Sequence, residues 1–488
     1  MKLRKLITKE NILLAAILVL ALALRIYQAK ERFLYNHDND LASWIVKDIV
    51  VNRHYRLIGQ MTSTMGIFIG PLYYYYLVPF YLITKMDPIG GVYAITFLGL
   101  ASILSFYFVF LRLFGKKAGL IASLVYAVSY AMVFNDREVV PTMPVVMWSV
   151  WYFYAINLFL KGKRGGYLLS GILIGLIWHL NMALILLLPL IPVSIYLSKK
   201  RVDWAEAGKG LIGTFLFSLP LILFELRHNF SQTKAFIVSL TTEQNAVFTL
   251  VERFQRVVTL TGKNLSSMIF ANSVDFPTTL LVAIFLGLLI YLVYKKAIKK
   301  HLFYLMVVWL ALYVAFFSIY SKVLSEYYLS GLAIIWITVL ALSLARLKKG
   351  ALLLLLLFLG LNLNAFFVSS VNRSGYVERK EIVRVIEEDR KEHNYPCISI
   401  SYITSPGYDL GYRYFFYLAG TPLNKISDKV PVYTIIFPLG KDSVQEDRAI
   451  GAIGLIYPDY KRYPLETVKA NCSPENINLT GDMFGYTQ

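Results

Sequence analysis

Apolar runs that approach the ~20 residues needed to cross a bilayer recur along this chain, and short basic loops punctuate them. Hydrophobic residues fill 57% of the 488 positions and mean hydropathy is +0.57. That is more apolar surface than a soluble domain buries, so the chain reads as a polytopic membrane protein. The basic loops are 112–117, 161–164, 199–201, 295–300 and 346–349. If all face the cytoplasm, each interval between them holds an even number of spans. Spans are expected at 11–28, 92–111, 118–134, 141–160, 167–180, 182–198, 211–225, 278–295, 302–320, 327–345 and 350–369, about eleven helices. The N-terminus then lies inside and the tail from Asn372 outside.

The first run, Ile12–Tyr27, follows Met1-Lys-Leu-Arg-Lys5, which keeps positive charge inside and sends the run outward. Its flank resembles a signal peptide. Arg25, Tyr27, Gln28 and Lys30 follow instead of a small-residue cleavage site, so a retained span is expected. The net charge of +19 is explained by loops that set orientation and face anionic lipid, which argues against nucleic acid as a partner. Cys397 and Cys472 both fall outside, where a disulfide and two separate thiols are equally compatible. No Cys/His cluster has zinc spacing.

Two membrane-module loops are expected on the outer side, 29–91 and 226–276. In the first, Leu41, Ile45, Ile49 and Val50 have helical spacing and predict a helix lying on the membrane. The apolar segment 70–83 would invert the topology if it crossed, so it reads as a re-entrant or interfacial helix whose tyrosines suit the boundary. The tail, 372–488, begins with a charged helix, Tyr376–Glu392. Short β-rich segments follow at Cys397–Ile403, Val432–Phe437 and Ile450–Tyr457, predicting a small α/β domain.

Polar residues gather at the outer ends. Asp38 and Asp40, just beyond the first span, supply a general base and a helper; the bland alternative is a cap for a helix starting at Leu41, with Asp40 the better cap. Asn135-Asp-Arg-Glu138 is an outer turn whose three ionisable residues either carry solvated charge or belong to the same outer cavity; Arg137 suits a phosphate there, with Asp136 or Glu138 holding it. His179 either contacts substrate or satisfies a turn. Arg227 suits a lipid phosphate or snorkels at the interface, with His228 and Glu225 beside it. Lys322 is a second phosphate candidate, with Glu326 and Tyr327 as substrate contacts. No phosphate-binding glycine loop, dinucleotide fingerprint or nucleophile elbow is present, and few charges lie within spans. Both facts argue against ATP-driven and ion-coupled transport.

His37-Asp38-Asn39-Asp40 after the first span, Gly70-Pro71-Leu72-Tyr73-Tyr74, and Arg137 with Pro141 resemble the recurring features of the GT-C membrane glycosyltransferases. The resemblance is to the protein O-mannosyltransferase and lipid A aminoarabinose transferase group, glycosyltransferase family 39, and covers about residues 1–340. It implies an all-α polytopic GT-C-like fold over 1–371 with outer juxtamembrane helices, to which the residue pattern of the tail adds the α/β extracytoplasmic domain over 372–488. It also implies transfer of a sugar from a polyprenyl phosphate to an acceptor hydroxyl of a protein, glycolipid or envelope glycan, at the outer face of the cell membrane. Inversion follows, with Asp38 as base; the residues' own placement offers Arg137, Arg227 or Lys322 to the donor phosphate, and His179, His228, Glu326 and Tyr327 to substrate. Asp38-Asn39 departs from the family's usual Asp-Glu, and Ile69-Gly70 from the lysine some relatives carry before the proline. Two carboxylates fall short of a usual metal shell, so no cofactor is expected to be required, while a divalent cation stays compatible. The competing classes are an O-antigen-type ligase or polymerase working through Arg227, His228, Arg253 and Arg256, and a flippase or exporter of lipid-linked saccharides.

Overall fold

In this computed structural model, which describes residues 8–62, 64–241, 249–271, 276–320, 324–347, 350–405, 407–426 and 429–480, three of the basic segments, 112–117, 295–300 and the one that begins at Arg346, meet at one end of a helical bundle. Lys116 pairs with Glu10 at 3.1 Å, Lys117 donates to the Ala345 carbonyl at 2.7 Å, and Arg346 donates to that of Lys295 at 2.8 Å. The chain runs through α1 (Lys9–Ile26), α2 (His37–Val50), α3 (Leu72–Ile83), α4 (Ile89–Phe114), α5 (Lys116–Val128), α6 (Tyr130–Asn135), α7 (Val145–Leu160), α8 (Gly165–Leu180) and α9 (Leu190–Ser198). It continues through α10 (Trp204–Arg227), α11 (Ser231–Thr241), α12 (Leu250–Phe270), α13 (Thr278–Tyr294), α14 (Lys300–Ile319), α15 (Ala333–Arg346) and α16 (Gly350–Val368). Each segment expected to span coincides with a helix or a pair of them. Among the described residues, helices over 89–114, 204–227, 300–319, 326–346 and 350–368 are each long and apolar enough to cross a bilayer.

Some spans are broken for identifiable reasons. Expected span 118–134 divides at Ser129, whose backbone leaves helical angles. The amide of Tyr130, freed by the break, donates to Asn362 Oδ1 at 2.8 Å, and the Asn362 amide donates to the Ile269 carbonyl at 2.9 Å. In a low-dielectric interior this exchange spares a costly orphan. Helices α8 and α10 pack backbone to backbone. A Cβ on Gly171 would stand 2.0 Å from the Gly210 carbonyl oxygen, so the crossing requires glycine.

The elements expected on the outer side differ from expectation in how they bury their apolar faces. Helix α3 has 12 residues, about 18 Å, too short to cross, and packs on α2 and α4. Leu41, Ile45 and Ile49 of α2 are buried in protein rather than laid on lipid. They join a second core with α3, the start of α4 and the tail. Segment 226–276 contains α11 and a 21-residue helix, α12, which bridges the ends of other helices. Arg253 donates to the Ile319 carbonyl, Asn264 to that of Glu326, and the Met268 carbonyl accepts from Ser129.

The tail has the expected charged helix, α17 (Tyr376–Glu392), then β1 (Ser399–Thr404), α18 (Arg413–Ala419), β2 (Val432–Phe437), β3 (Arg448–Ile450) and β4 (Ile453–Ile456). The sheet order is β1-β2-β4-β3. β1 runs parallel to β2 with Ser399 opposite Val432, and the other pairings are antiparallel. Of the two readings open for Cys397 and Cys472, the structure has the disulfide.

Candidate functional site

Helix α2 starts four residues before Leu41. Asn36 Oδ1 accepts from the amides of Asp38 (3.0 Å) and Asn39 (3.4 Å), and Asn39 Oδ1 accepts from the Asn36 amide at 2.9 Å, a capping box that fixes the first turn. Asp40 is therefore not the cap. Residues two apart on a helix project about 200° apart, so the aspartates face opposite ways. Asn39 Nδ2 donates to the Val139 carbonyl at 3.1 Å, which seats this turn against the segment carrying Glu138.

Asp38 faces a cavity of about 1560 Å³ at the end of the bundle opposite the basic loops. One part of its wall is polar: His37, Asp38, Gln60, Glu138 and Asn181. The remainder mixes Asn264, Glu326, Tyr327 and Tyr328 with apolar side chains such as Leu186, Phe317 and Trp336. Burial, with the Asp38 charge adding to it, pushes the Glu138 carboxyl up to about 7. Among the described residues, no group of three or more His, Cys, Asp or Glu converges as a metal site, and no lysine or arginine lines this cavity. Such an arrangement offers carboxylates to accept a proton, amides and hydroxyls to orient a sugar, and apolar surface for a lipid.

The other expected site residues are placed as follows. Asp40 is fully buried on the far side of α2, where Oδ1 accepts from Tyr35 Oη at 3.2 Å and from the Tyr414 amide of α18 at 3.2 Å. Burial pushes its carboxyl up to about 6, although those hydrogen bonds oppose the shift. It therefore joins α2 to the tail and does not line the cavity. Arg137 turns toward the end of α1, donating to the Tyr27 carbonyl at 2.8 Å and to that of Leu24, with Phe366 5.1 Å beneath. A cation there complements the α1 C-terminus, and no phosphate is needed to explain it. Asp136 is taken by Arg25, whose Nε donates at 2.8 Å, and by Tyr126 Oη at 2.8 Å. Of that turn's ionisable trio, only Glu138 reaches the cavity.

His179 lies under the Gly70-Pro71 turn. Its Nδ1 accepts from the Leu72 amide at 3.3 Å, and Nε2 stands 2.7 Å from the Phe217 carbonyl, which it reaches as the donor. Gly70 donates to the Trp178 carbonyl at 2.7 Å, and a Cβ there would stand 2.0 Å from the imidazole. His179 thus satisfies backbone and does not line the cavity. Arg227 is exposed. His228 stacks on Phe224 at 4.1 Å with Nδ1 2.9 Å from its carbonyl oxygen, and neither lines the cavity. Arg253 and Arg256 do not line it either. Glu225 instead caps the start of α11, accepting from the Gln232 and Thr233 amides at 3.1 Å. Glu326 and Tyr327 do line the cavity. Lys322 lies outside the described residues, and its neighbours in sequence, Tyr320 and Glu326, both line it. Gln60 and Asn181 have no sequence signal of their own, while Glu138 belongs to the ionisable turn for which a place in the outer cavity is one of the expected readings.

No family model and no curated protein matches the chain by sequence. Among solved structures it is similar to ArnT from Cupriavidus metallidurans bound to undecaprenyl phosphate, with a TM-score of 0.62 at 11% identity over 94% of this chain and 99% of that one. The apo state of that protein superposes with a TM-score of 0.60 at 12% identity over the same shares. The Archaeoglobus fulgidus oligosaccharyltransferase complex with Zn and sulfate is a weaker likeness, with a TM-score of 0.48 at 12% identity over 87% of this chain and 67% of that one. The ArnT likeness shows that this chain shares that protein's fold over 94% of its length.

Proposed function

We propose that this protein is an integral-membrane glycosyltransferase that moves a sugar from a polyprenyl-phosphate donor to an acceptor hydroxyl at the outer face, with Asp38 as general base. The observation that carries this reading is Asp38 on the polar wall of a large, partly apolar cavity at the end away from the basic loops. The ArnT likeness supports it, since that structure holds undecaprenyl phosphate within the same fold. Convergence of Lys116, Lys117, Lys295 and Arg346 at the far end supports a cytoplasmic N-terminus and an extracytoplasmic tail.

In the step proposed, Asp38 takes the proton of the acceptor hydroxyl as its oxygen bonds to the anomeric carbon. The bond from that carbon to the phosphate oxygen breaks on the opposite face, and the lipid phosphate leaves with the electron pair. Glu138, near neutrality, is suited to hold a proton or hydrogen-bond the sugar. Tyr327 and Glu326 offer a ring face and a carboxylate to a sugar. We assign the leaving phosphate to Lys322 on its sequence position, because Arg137 and Arg227 do not line the cavity. Asp38 and Glu138 are the two carboxylates on this wall, and a divalent cation held there would take its remaining ligands from phosphate and water.

The test is sugar release from a panel of polyprenyl-phosphate sugars by the purified, reconstituted protein and its Asp38→Asn variant. One donor turned over by wild type and slowed about 10²–10⁴-fold in a folded variant is the expected result. Equal turnover would remove Asp38 as base, and binding without cleavage would favour a flippase.

A further inference from the structure

Asp38 is held by a residue far from it in sequence. Among the described residues its carboxylate has one side-chain partner, Gln60, whose Nε2 donates to Oδ1 at 3.3 Å. Gln60 is itself fixed from two directions. Tyr74 Oη donates to Gln60 Oε1 at 2.9 Å and accepts from the Gln60 amide at 3.3 Å. These bonds set the orientation of the carboxamide, because the oxygen must face the tyrosine and the NH₂ must face the aspartate. The backbone is fixed as well. Gly59 donates to the Ile69 carbonyl at 2.7 Å, Ile69 to that of Gln60 at 3.0 Å, and Thr62 to that of Ile67 at 2.7 Å. Tyr74 is fully buried and packs closely on Gly59, where a Cβ would stand 2.2 Å from its ring.

We propose that Gln60, anchored by Tyr74, is the positioning residue that aims the Asp38 carboxylate, holding Oδ1 so that Oδ2 meets the acceptor hydroxyl. The proposal rests on Asp38 acting as the base. A neutral donor suits the task. It restrains the carboxylate without placing beside it a full positive charge that would strongly weaken its basicity. Gln60 also lines the cavity, beside the carboxylate it restrains.

The experiment is steady-state kinetics on the full-length reconstituted protein with the donor that wild type turns over. Gln60→Leu keeps the bulk and loses the donor; Gln60→Glu keeps an acceptor for Tyr74 and also loses the donor. Both should lower kcat about 10- to 100-fold with KM for the lipid donor within about twofold, as expected for a misaimed catalytic group. Tyr74→Phe should fall less, and Gln60→Leu with Tyr74→Phe should be no worse than Gln60→Leu alone. Either Gln60 variant suffices if the other fails to fold. Wild-type kcat in a folded Gln60 variant, or a raised KM at unchanged kcat, overturns the assignment while Asp38→Asn stays inactive. Turnover by Asp38→Asn equal to wild type would instead strike the underlying reading, and the two failures are distinct.

Discussion

The two aspartates of His37-Asp38-Asn39-Asp40 should respond oppositely to the same substitution, and Asp40 gives the sharper test. Its carboxyl is fully buried, accepts from Tyr35 Oη and the Tyr414 amide through Oδ1, and leaves Oδ2 without a partner among the described residues. Burial raises it from 3.8 to about 6. At one pKa unit per 1.36 kcal/mol, keeping it ionised above that pH costs the folded state about 3 kcal/mol. Between about pH 4 and 6 the folded protein binds more protons than the unfolded chain, so stability falls as pH rises through that window and is level beyond it. An asparagine in place of Asp40 would accept the same two hydrogen bonds and carry no charge, at the cost of about 1 kcal/mol or more for an unpaired N–H.

Asp40→Asn should therefore be more stable than wild type by about 1–2 kcal/mol at pH 7.5, with the advantage shrinking or reversing near pH 4.5. Thermal and denaturant unfolding of the purified protein across pH 4.5–8 reads this out, and sugar release should persist because Asp40 does not line the cavity. A variant less stable than wild type at pH 7.5, or a difference that does not change with pH, would refute the argument. So would loss of turnover in a variant that keeps its fold.

Asp136→Asn should behave in the contrary sense. It strands the Arg25 guanidinium, fully buried with its partner, and breaking such a pair costs about 3–5 kcal/mol, readable as a lowered melting temperature that Asp136→Asn with Arg25→Met partly restores. Replacing Cys397 and Cys472 by serine opens a loop closed over 75 residues and should cost the tail up to about 4 kcal/mol, seen as faster proteolysis beyond Asn372.

The membrane module was legible because a bilayer makes span recognition nearly local: length, hydropathy and the sign of each loop suffice, and basic segments read as one side do meet at one end of the bundle. The tail was legible for a similar reason, since Tyr376–Glu392 and Val432–Phe437 carry their own periodicity and match α17 and β2 to the residue. Strand β3 was missed because three residues hold too little pattern to read.

Direction, in contrast, is a tertiary property. Whether Asp38 and Asp40 converge turned on a capping box begun at Asn36, which made the stretch helical and set them on opposite faces. Arg137 looked like a phosphate ligand because its turn sits at the membrane edge, but the end of α1, more than a hundred residues earlier, offers carbonyls that claim it. His179 was claimed in the same way by backbone at Leu72 and Phe217. A buried polar group must find a partner, and the nearest unsatisfied backbone usually supplies it before any substrate arrives. The polar residues left facing the cavity are those whose surroundings were already satisfied, and this is why Glu138 emerged from its turn only once Arg25 had taken Asp136 and the α1 carbonyls had taken Arg137.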